Sequence, residues 1–146
     1  MREGAGWPRR SDAFPDGLML HSRHYSLEEA SALLPWVSEQ LERLRSARDR
    51  LGDVDARAAL ATTGQGNGGG QAGKTVSEGF LELRERMLEL REREIVLRDL
   101  DRGLIDFPSL RGDQEIYLCW EEGEPEIGFW HEPEAGFAGR RPFDDG

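Results

Sequence analysis

Five side chains in the last third of the chain are of types that bind transition metals. Imidazole together with carboxylate is a ligand set for zinc, iron or manganese. The spacing of these residues matches no metal motif, so the identity of any metal stays unknown. A purely structural role is an alternative, with the cysteine buried in a sheet and the histidine at the edge of the core. A thiol-nucleophile enzyme would need the cysteine and histidine to meet beside a third, orienting group. The five residues are Asp106, Cys119, His131, Glu132 and Glu134.

The segment 111–134 is strongly acidic. It holds eight Asp and Glu residues and has no basic residue after Arg111. Like charges this close together repel one another and favour a cation or a basic partner. Arg140 and Arg141 are the nearest basic residues after the segment. The pattern therefore indicates either an ion-pair clamp within the chain or a small polar molecule held by carboxylates, an arginine and Trp130.

Gly68–Thr75 matches the phosphate-binding pattern G-x-x-x-x-G-K-[ST]. That mechanism needs a strand entering the loop and a parallel sheet behind it. The preceding residues 53–63 are rich in alanine and threonine, and the glycines fall in a low-complexity window where the pattern has many chances to occur. We interpret this stretch as a connector between helices and keep nucleotide binding by Gly68–Thr75 as an alternative.

Two long amphipathic helices must position these groups. Ser26 and Glu29 form a capping box that begins a helix over 26–51, with a bend or break near Ser31–Pro35 because proline removes one backbone hydrogen bond. A second apolar stripe predicts a helix over 76–102. The simplest way to cover both stripes is a long antiparallel hairpin of coiled-coil type.

The segment 103–132 reads as a small antiparallel sheet. A strand over 103–107 stops at Pro108, and 115–121 and 126–131 form a hairpin. If Glu121 pairs with Glu126, Cys119 and His131 point to opposite faces, and only a one-residue change of register would bring them together. The same pairing predicts a core face and an outer face. The core face carries Ile116, Leu118, Trp120, Ile127, Phe129 and His131, and the outer face carries Tyr117, Cys119 and Trp130.

The predicted fold class is α+β, with the helical hairpin carrying the small antiparallel sheet at its base. We predict a flexible leader over 1–24 and a single domain over 25–143. Within that domain the expected segments are helix 26–51, a Gly-rich connector 52–75, helix 76–102, sheet 103–132 and tail 133–146.

Composition excludes several classes of function. The 146 residues carry a formal net charge of −10, which disfavours binding to nucleic acid or to anionic membranes. The single Cys119 rules out an intrachain disulfide, and no apolar stretch resembles a signal peptide or a membrane span. We expect a cytoplasmic protein.

Several motifs resemble the bacterial and archaeal family called domain of unknown function 2203. They are Tyr25-Ser-Leu-Glu-Glu-Ala-Ser-Ala-Leu-Leu-Pro35, Asp101-Arg-Gly-Leu-Ile-Asp-Phe-Pro108, Tyr117-Leu-Cys-Trp120, Gly123-Glu-Pro-Glu-Ile-Gly-Phe-Trp-His-Glu132 and Gly136-Phe-Ala-Gly-Arg-Arg-Pro142. The resemblance covers roughly Tyr25 to Phe143. It implies a small stand-alone cytoplasmic protein and supplies no catalytic role.

The resemblance directs attention to a candidate ligand-binding site. If the tail 136–142 folds back over the hairpin, Arg140 meets Asp106 or Glu132 and encloses a pocket beside Trp130. The candidate residues are Asp106, Trp130, His131, Glu132 and Arg140.

Two function classes follow from these patterns. The first is a noncatalytic interaction or scaffold module that forms a homodimer through its helical hairpin and binds protein partners, because paired helices explain most of the sequence. The second is a small-molecule or metal-binding protein, with or without enzymatic activity, whose site is the candidate set above. The sequence leaves the identity of any cofactor unknown.

Overall fold

A computed structural model describes residues 19–52 and 71–143. The fold is α+β, as predicted: the described residues form three α-helices and a five-stranded antiparallel sheet. The helices are α1 (Leu27–Ala32), α2 (Leu34–Leu51) and α3 (Gln71–Glu92). The strands are β1 (Val96–Asp99), β2 (Leu104–Arg111), β3 (Gln114–Glu121), β4 (Phe129–His131) and β5 (Arg141–Pro142), and a 3₁₀ turn spans Phe137–Gly139.

The chain divides into two compact units. The sheet unit contains the described residues up to Pro35 and from Arg93 onward, and the helical unit contains those between Trp36 and Glu92. The sheet order is β1-β2-β3-β4-β5, so every strand pairs with its neighbour in sequence. No described helix is both long and apolar enough to cross a bilayer.

The first helical segment follows its sequence signals. The Ser26 side chain accepts from the backbone N–H of Glu29, and the Glu29 carboxylate accepts from the N–H of Ser26, which completes the predicted capping box. The predicted break falls at Leu33, which separates α1 from α2. Pro35 then lies in the first turn of α2, where its missing N–H costs no helical hydrogen bond.

The prediction of a helix over 76–102 is wrong at both ends. The helix α3 begins at Gln71 and ends at Glu92. Glu94 adopts a left-handed φ of 58°, the conformation that ends helices, and the next residues form strand β1 instead. The predicted connector 52–75 therefore loses residues 71–75 to α3, and residues 53–70 lie outside the described part of the chain.

The prediction that Pro108 stops a strand is also wrong, because β2 continues to Arg111. The carbonyl of Pro108 accepts from the N–H of Tyr25 at 2.7 Å, so its backbone polar groups point away from β3. The missing N–H therefore costs the β2–β3 ladder no hydrogen bond. The pairing of β1 with β2 stops at Asp106, so no strand pairs with the Pro108 carbonyl and Tyr25 can bind it.

The hairpin register differs from the prediction by one residue. Tyr117 pairs with His131 and Leu118 with Trp130, whereas a Glu121–Glu126 pairing would have shifted each of these by one. The loop after β3 is closed by a Glu124 side chain that accepts from the N–H of Glu121, so Glu126 takes no part in the ladder. The observed register turns the large Trp130 side chain toward the buried face of Leu118.

Parts of the predicted leader and of the tail bind to the rest of the sheet unit. The tail 133–146 contributes β5, in which Arg141 pairs with Trp130. Residues 19–24 fall in the predicted leader, but the backbone N–H groups of Leu20 and His21 donate to the Glu115 carboxylate at 2.9 and 3.0 Å. The rest of the predicted leader, 1–18, lies outside the described residues.

Candidate functional site

The observed register brings three side chains of types that can bind metals to one face of the sheet. Asp106 on β2 lies directly opposite Cys119 on β3. Tyr117, two residues before Cys119, is on the same face, and its partner on β4 is His131, so His131 is on that face too. The predicted placement of Cys119 and His131 on opposite faces is therefore wrong. One ligand atom from each of Asp106, Cys119 and His131 lies within 4.8 Å of the others, and all three residues are about 99% buried.

The Asp106 carboxylate is the centre of this cluster. Its Oδ2 accepts from Arg98 Nε at 2.8 Å and faces His131 Nε2 at 2.9 Å. Its Oδ1 is buried and has no hydrogen-bond partner within the described residues. A buried, unpaired carboxylate oxygen is costly, so this atom is the natural position for a cation or a hydrogen-bond donor.

Both ring nitrogens of His131 face acceptors. Nδ1 lies 2.7 Å from the backbone carbonyl of Glu132, and Nε2 faces Asp106. Burial lowers the pKa of His131, but the hydrogen bonds to Asp106 and Glu132 outweigh it and raise the pKa above its ordinary value. The imidazolium form would donate to both acceptors, so a protonated His131 would form a buried ion pair with the Asp106 carboxylate.

Cys119 is held as a neutral thiol. Burial, with the nearby Asp106 carboxylate, raises its pKa from 9.0 to about 12. A thiol of this kind is a weak nucleophile unless a metal ion replaces its proton. The arrangement therefore argues against thiol-nucleophile chemistry at Cys119.

A cavity of about 200 Å³ opens beside the cluster. Arg98 and Glu134 add a positive and a negative side chain to its wall, and Phe137 and Leu104 add apolar surface. The Arg98 side chain is 42% exposed, so one end of this wall is in contact with solvent. The full lining is Arg98, Leu104, Asp106, Cys119, His131, Pro133, Glu134, Gly136 and Phe137.

The other predicted site residues lie elsewhere. Trp130 points to the opposite face, where the guanidinium carbons of Arg111 and Arg141 lie 4.5 and 5.2 Å from its ring centroid. Glu132 contributes its backbone carbonyl to His131, while its side chain lies 3.8 Å from Arg141. The predicted set is therefore only partly brought together.

Arg140 does not meet Asp106 or Glu132, which corrects the predicted clamp. Its Nη2 donates to both Glu124 oxygens at 3.0 and 2.9 Å, and its guanidinium lies 3.9 Å from the Phe129 ring centroid. The arginine on Asp106 is Arg98, which sequence reasoning missed because it assigned this segment to a helix. The run Ile95–Leu97, which fits a strand as well as a helix, is the signal that could have located it.

A second polar cluster holds the N-terminal segment on the same face. His21 Nε2 lies 2.7 Å from the Tyr117 hydroxyl and its Nδ1 lies 3.0 Å from Glu94. The Tyr117 ring in turn contacts the His131 ring, with centroids 5.4 Å apart. Residues 19–24 therefore cover the strand residue that neighbours His131.

The phosphate-loop pattern gains no support from the described residues. Gly73, Lys74 and Thr75 lie inside α3, and Gly68–Gly70 lie outside the described ranges. The mechanism needs a parallel sheet, and in the part of the chain described every strand pair is antiparallel.

Comparisons with known proteins give one match. A family model described as "Uncharacterized conserved protein (DUF2203)" matches residues 23–143. No curated protein and no solved structure matches the chain.

Proposed function

Since this chain belongs to the DUF2203 family of uncharacterized conserved proteins, as its motifs indicated, we propose from its site that it is a metal-binding protein. The proposed ligands are Asp106, Cys119 and His131. The observation that carries the proposal is the convergence of three buried ligand atoms of three chemical types on one sheet face.

The donor set favours zinc or a similar divalent transition metal. Thiolate, imidazole and carboxylate all bind Zn²⁺, at metal–ligand distances of about 2.0–2.3 Å, so the ligand atoms of a loaded site stand about 3–4 Å apart. The three atoms here lie within 4.8 Å, so small side-chain rotations are enough to close the site. Three protein ligands also leave a fourth position for water or substrate, which is typical of catalytic zinc.

The groups around the ligands support the same assignment. Metal-bound histidines usually donate their other ring N–H to a carbonyl or carboxylate, and His131 Nδ1 already lies 2.7 Å from the Glu132 carbonyl. Arg98 Nε donates to Oδ2 of Asp106, which leaves the unpaired Oδ1 for a cation. A bound metal would replace the Cys119 thiol proton and the His131 Nε2 proton.

The lining and the volume of the cavity limit the chemistry and the ligand size of such a site. A bound divalent ion acts as a Lewis acid and lowers the pKa of bound water. Arg98 holds the Asp106 carboxylate in place, and Glu134 in the cavity wall is a carboxylate that is not a member of the three-ligand group. A volume of about 200 Å³ admits water and a small ligand only.

Metal analysis of protein purified without a histidine tag tests this proposal. We expect about one zinc, iron or manganese per chain after reconstitution. His131→Gln and Cys119→Ser are each expected to lower that ratio at least about tenfold at limiting metal. The matched control is His24→Gln, because His24 is also mostly buried and paired with a carboxylate, Glu115, but lies outside the three-ligand group. A wild-type chain without stoichiometric metal, or an undiminished ratio in His131→Gln, would contradict the proposal.

Cobalt substitution gives an independent reading of the cysteine ligand. Co²⁺ bound by a thiolate has an intense near-ultraviolet charge-transfer band, because the sulfur donates electron density to the metal. We expect this band in the wild-type protein and in His24→Gln, and we expect Cys119→Ser to abolish it. A Co²⁺ complex whose spectrum is the same with and without the cysteine would exclude Cys119 as a ligand.

The second candidate function is a noncatalytic interaction module that self-associates through its helices. Contacts between α2 and α3 support the antiparallel hairpin on which this function depends: Arg43 Nε lies 2.8 Å from Glu82, and Arg86 Nη1 donates to Gln40 at 2.9 Å. The later residue of α2, Arg43, contacts the earlier residue of α3, Glu82, as expected for antiparallel helices. Large apolar side chains that α3 leaves exposed, Phe80, Leu81, Met87 and Leu88, supply a surface for a partner.

A further inference from the structure

One side of α3 packs against α2, and Gly79 marks it. A Cβ atom at Gly79 would lie 2.9 Å from the Arg50 Cβ and 3.0 Å from the Ala47 carbonyl, so the two helices approach closely here. With about 100° per residue, Leu88 and Leu81 lie about 180° and 200° around the helix from Gly79. Both leucines are exposed, Leu81 by 62% and Leu88 by 36%. The side of α3 that faces away from α2 therefore carries a leucine row.

Rows of opposite charge flank this leucine row. Positions seven apart fall close together on a helix, so Glu78, Glu85 and Glu92 form an acidic row along one flank of the leucines. Arg84 and Arg91 form a basic row along the other flank. All five charged residues are exposed.

We propose that a second copy of the chain binds this leucine face, with the two α3 helices side by side and parallel about a two-fold axis. A two-fold axis along the helices places the acidic row of one copy opposite the basic row of its partner, on both sides of the leucine seam. An antiparallel pair would place acidic against acidic and basic against basic, which costs free energy. The charge pattern therefore selects both the occupant and its direction.

The size of the face sets the strength of the dimer. Phe80 and Met87, exposed by 58% and 43%, lie beside the basic row and extend the apolar surface. A single pair of helices of this length covers less than the roughly 800 Å² per partner of a standard interface. We expect a dissociation constant of micromolar order. This inference deepens the second candidate function and does not depend on the metal site.

Sedimentation equilibrium of the full chain and of two charge variants tests the proposal. Arg84→Glu with Arg91→Glu makes both flanks acidic, and Glu78→Arg, Glu85→Arg and Glu92→Arg together make both flanks basic. Each variant alone is expected to dissociate at least about tenfold more readily than wild type, and an equimolar mixture is expected to recover a heterodimer. Because the changed positions are exposed, we expect each variant to fold, and circular dichroism checks this.

Cross-linking tests the direction of the helices. In a parallel pair Leu81 of one copy lies beside Leu81 of the partner, so Leu81→Cys is expected to form an intermolecular disulfide on mild oxidation. An antiparallel pair instead places this position beside the partner's Leu88, and the single variant then stays uncross-linked. A wild-type chain that is monomeric at high micromolar concentration would overturn the proposal. So would association that the charge variants leave unchanged. We expect His131→Gln to associate as strongly as wild type, which would show that dimer formation does not depend on metal binding.

Discussion

Cys119 lies directly opposite Asp106 across the β2–β3 ladder, and both side chains are about 99% buried. The pairing places a thiol beside a carboxylate whose Oδ1 has no partner in the described part of the chain. A negative neighbour and a dry surrounding both disfavour the thiolate, which explains the raised pKa of Cys119. The same pairing would supply two ligands to a cation at once. The thiol is therefore expected to be unreactive unless the proposed metal replaces its proton.

The first prediction concerns the reactivity of this thiol. A rise of the Cys119 pKa from 9.0 to about 12 lowers the thiolate fraction near neutral pH about a thousandfold, and burial slows the reaction further. In metal-free native protein we expect an aromatic disulfide reagent to react with Cys119 at least about a thousandfold more slowly than in the urea-unfolded chain. The release of thiol-reagent colour over time measures both rates. Reaction of the native protein at the unfolded rate would show that Cys119 is accessible and ionised.

The second prediction concerns the charge of Asp106. Asp106→Asn keeps the shape of the side chain but leaves Arg98, and His131 when it is protonated, without the buried carboxylate. We expect the free energy of unfolding of metal-free protein to fall by about 3 kcal/mol, as when one partner of a buried ion pair is removed. Urea unfolding followed by circular dichroism measures it.

The matched control for Asp106→Asn is Glu121→Gln. Glu121 also binds an arginine, Arg102, at 3.1 Å, but the Glu121 carboxylate is 29% exposed, whereas Asp106 is 2% exposed. The expected loss there is below about 1 kcal/mol. Equal losses in the two variants would mean that Asp106 does not hold a buried pair of charges.

The helical start and the fold class could be predicted because their signals are local. The capping box of Ser26 and Glu29 lies within three residues, and the break before Pro35 follows from the chemistry of proline alone. The α+β class follows from a change of hydrophobic period along the chain. The end of α3 could not be predicted in this way, because Glu94 takes a left-handed φ that usually marks glycine.

The site could be predicted only as a set of residue types. Asp106 and His131 were among the candidate site residues. Whether Cys119 lies beside them depends on a one-residue difference in the register of β3 and β4, and the sequence of the connecting loop does not determine that register. The register follows from long-range demands: Trp130 needs a buried face, and the buried His131 needs an acceptor. Such demands involve residues on separate strands, which no local pattern records. The same reason explains why Arg98 was missed and Arg140 was placed wrongly.

The third prediction concerns pH. Because the hydrogen bonds to Asp106 and Glu132 raise the pKa of His131 in the folded protein despite burial, the folded state holds this proton more tightly than the unfolded chain, whose value is near 6.5. The stability contributed by the proton is fully present below pH 6.5 and is lost as the pH rises through the folded value. We therefore expect the stability difference between wild type and His131→Gln to shrink from acid to alkaline pH.

Urea unfolding of both proteins in the presence of a chelator, between about pH 6 and pH 9, measures this difference. The subtraction removes the pH dependence of groups that the two proteins share, such as the surface carboxylates. A difference that grows toward alkaline pH would mean that the fold lowers the pKa of His131 and holds the imidazole neutral.

The last prediction concerns the close approach of α2 and α3 at Gly79. Replacing a glycine inside a helix by alanine usually stabilises it by up to about 1 kcal/mol. Here the added Cβ would lie 2.9 Å from the Arg50 Cβ and 3.0 Å from the backbone carbonyl of Ala47, and the carbonyl cannot rotate away as a side chain would. We expect Gly79→Ala to lower the free energy of unfolding by about 1–3 kcal/mol, because the helices must move apart. Ser77→Ala, an exposed position of the same helix, is the control and is expected to be neutral or slightly stabilising. If Gly79→Ala stabilised the protein as much as an ordinary helical substitution, the two helices could not be packed together at this point, and both the hairpin and the outward direction of the leucine row would be wrong.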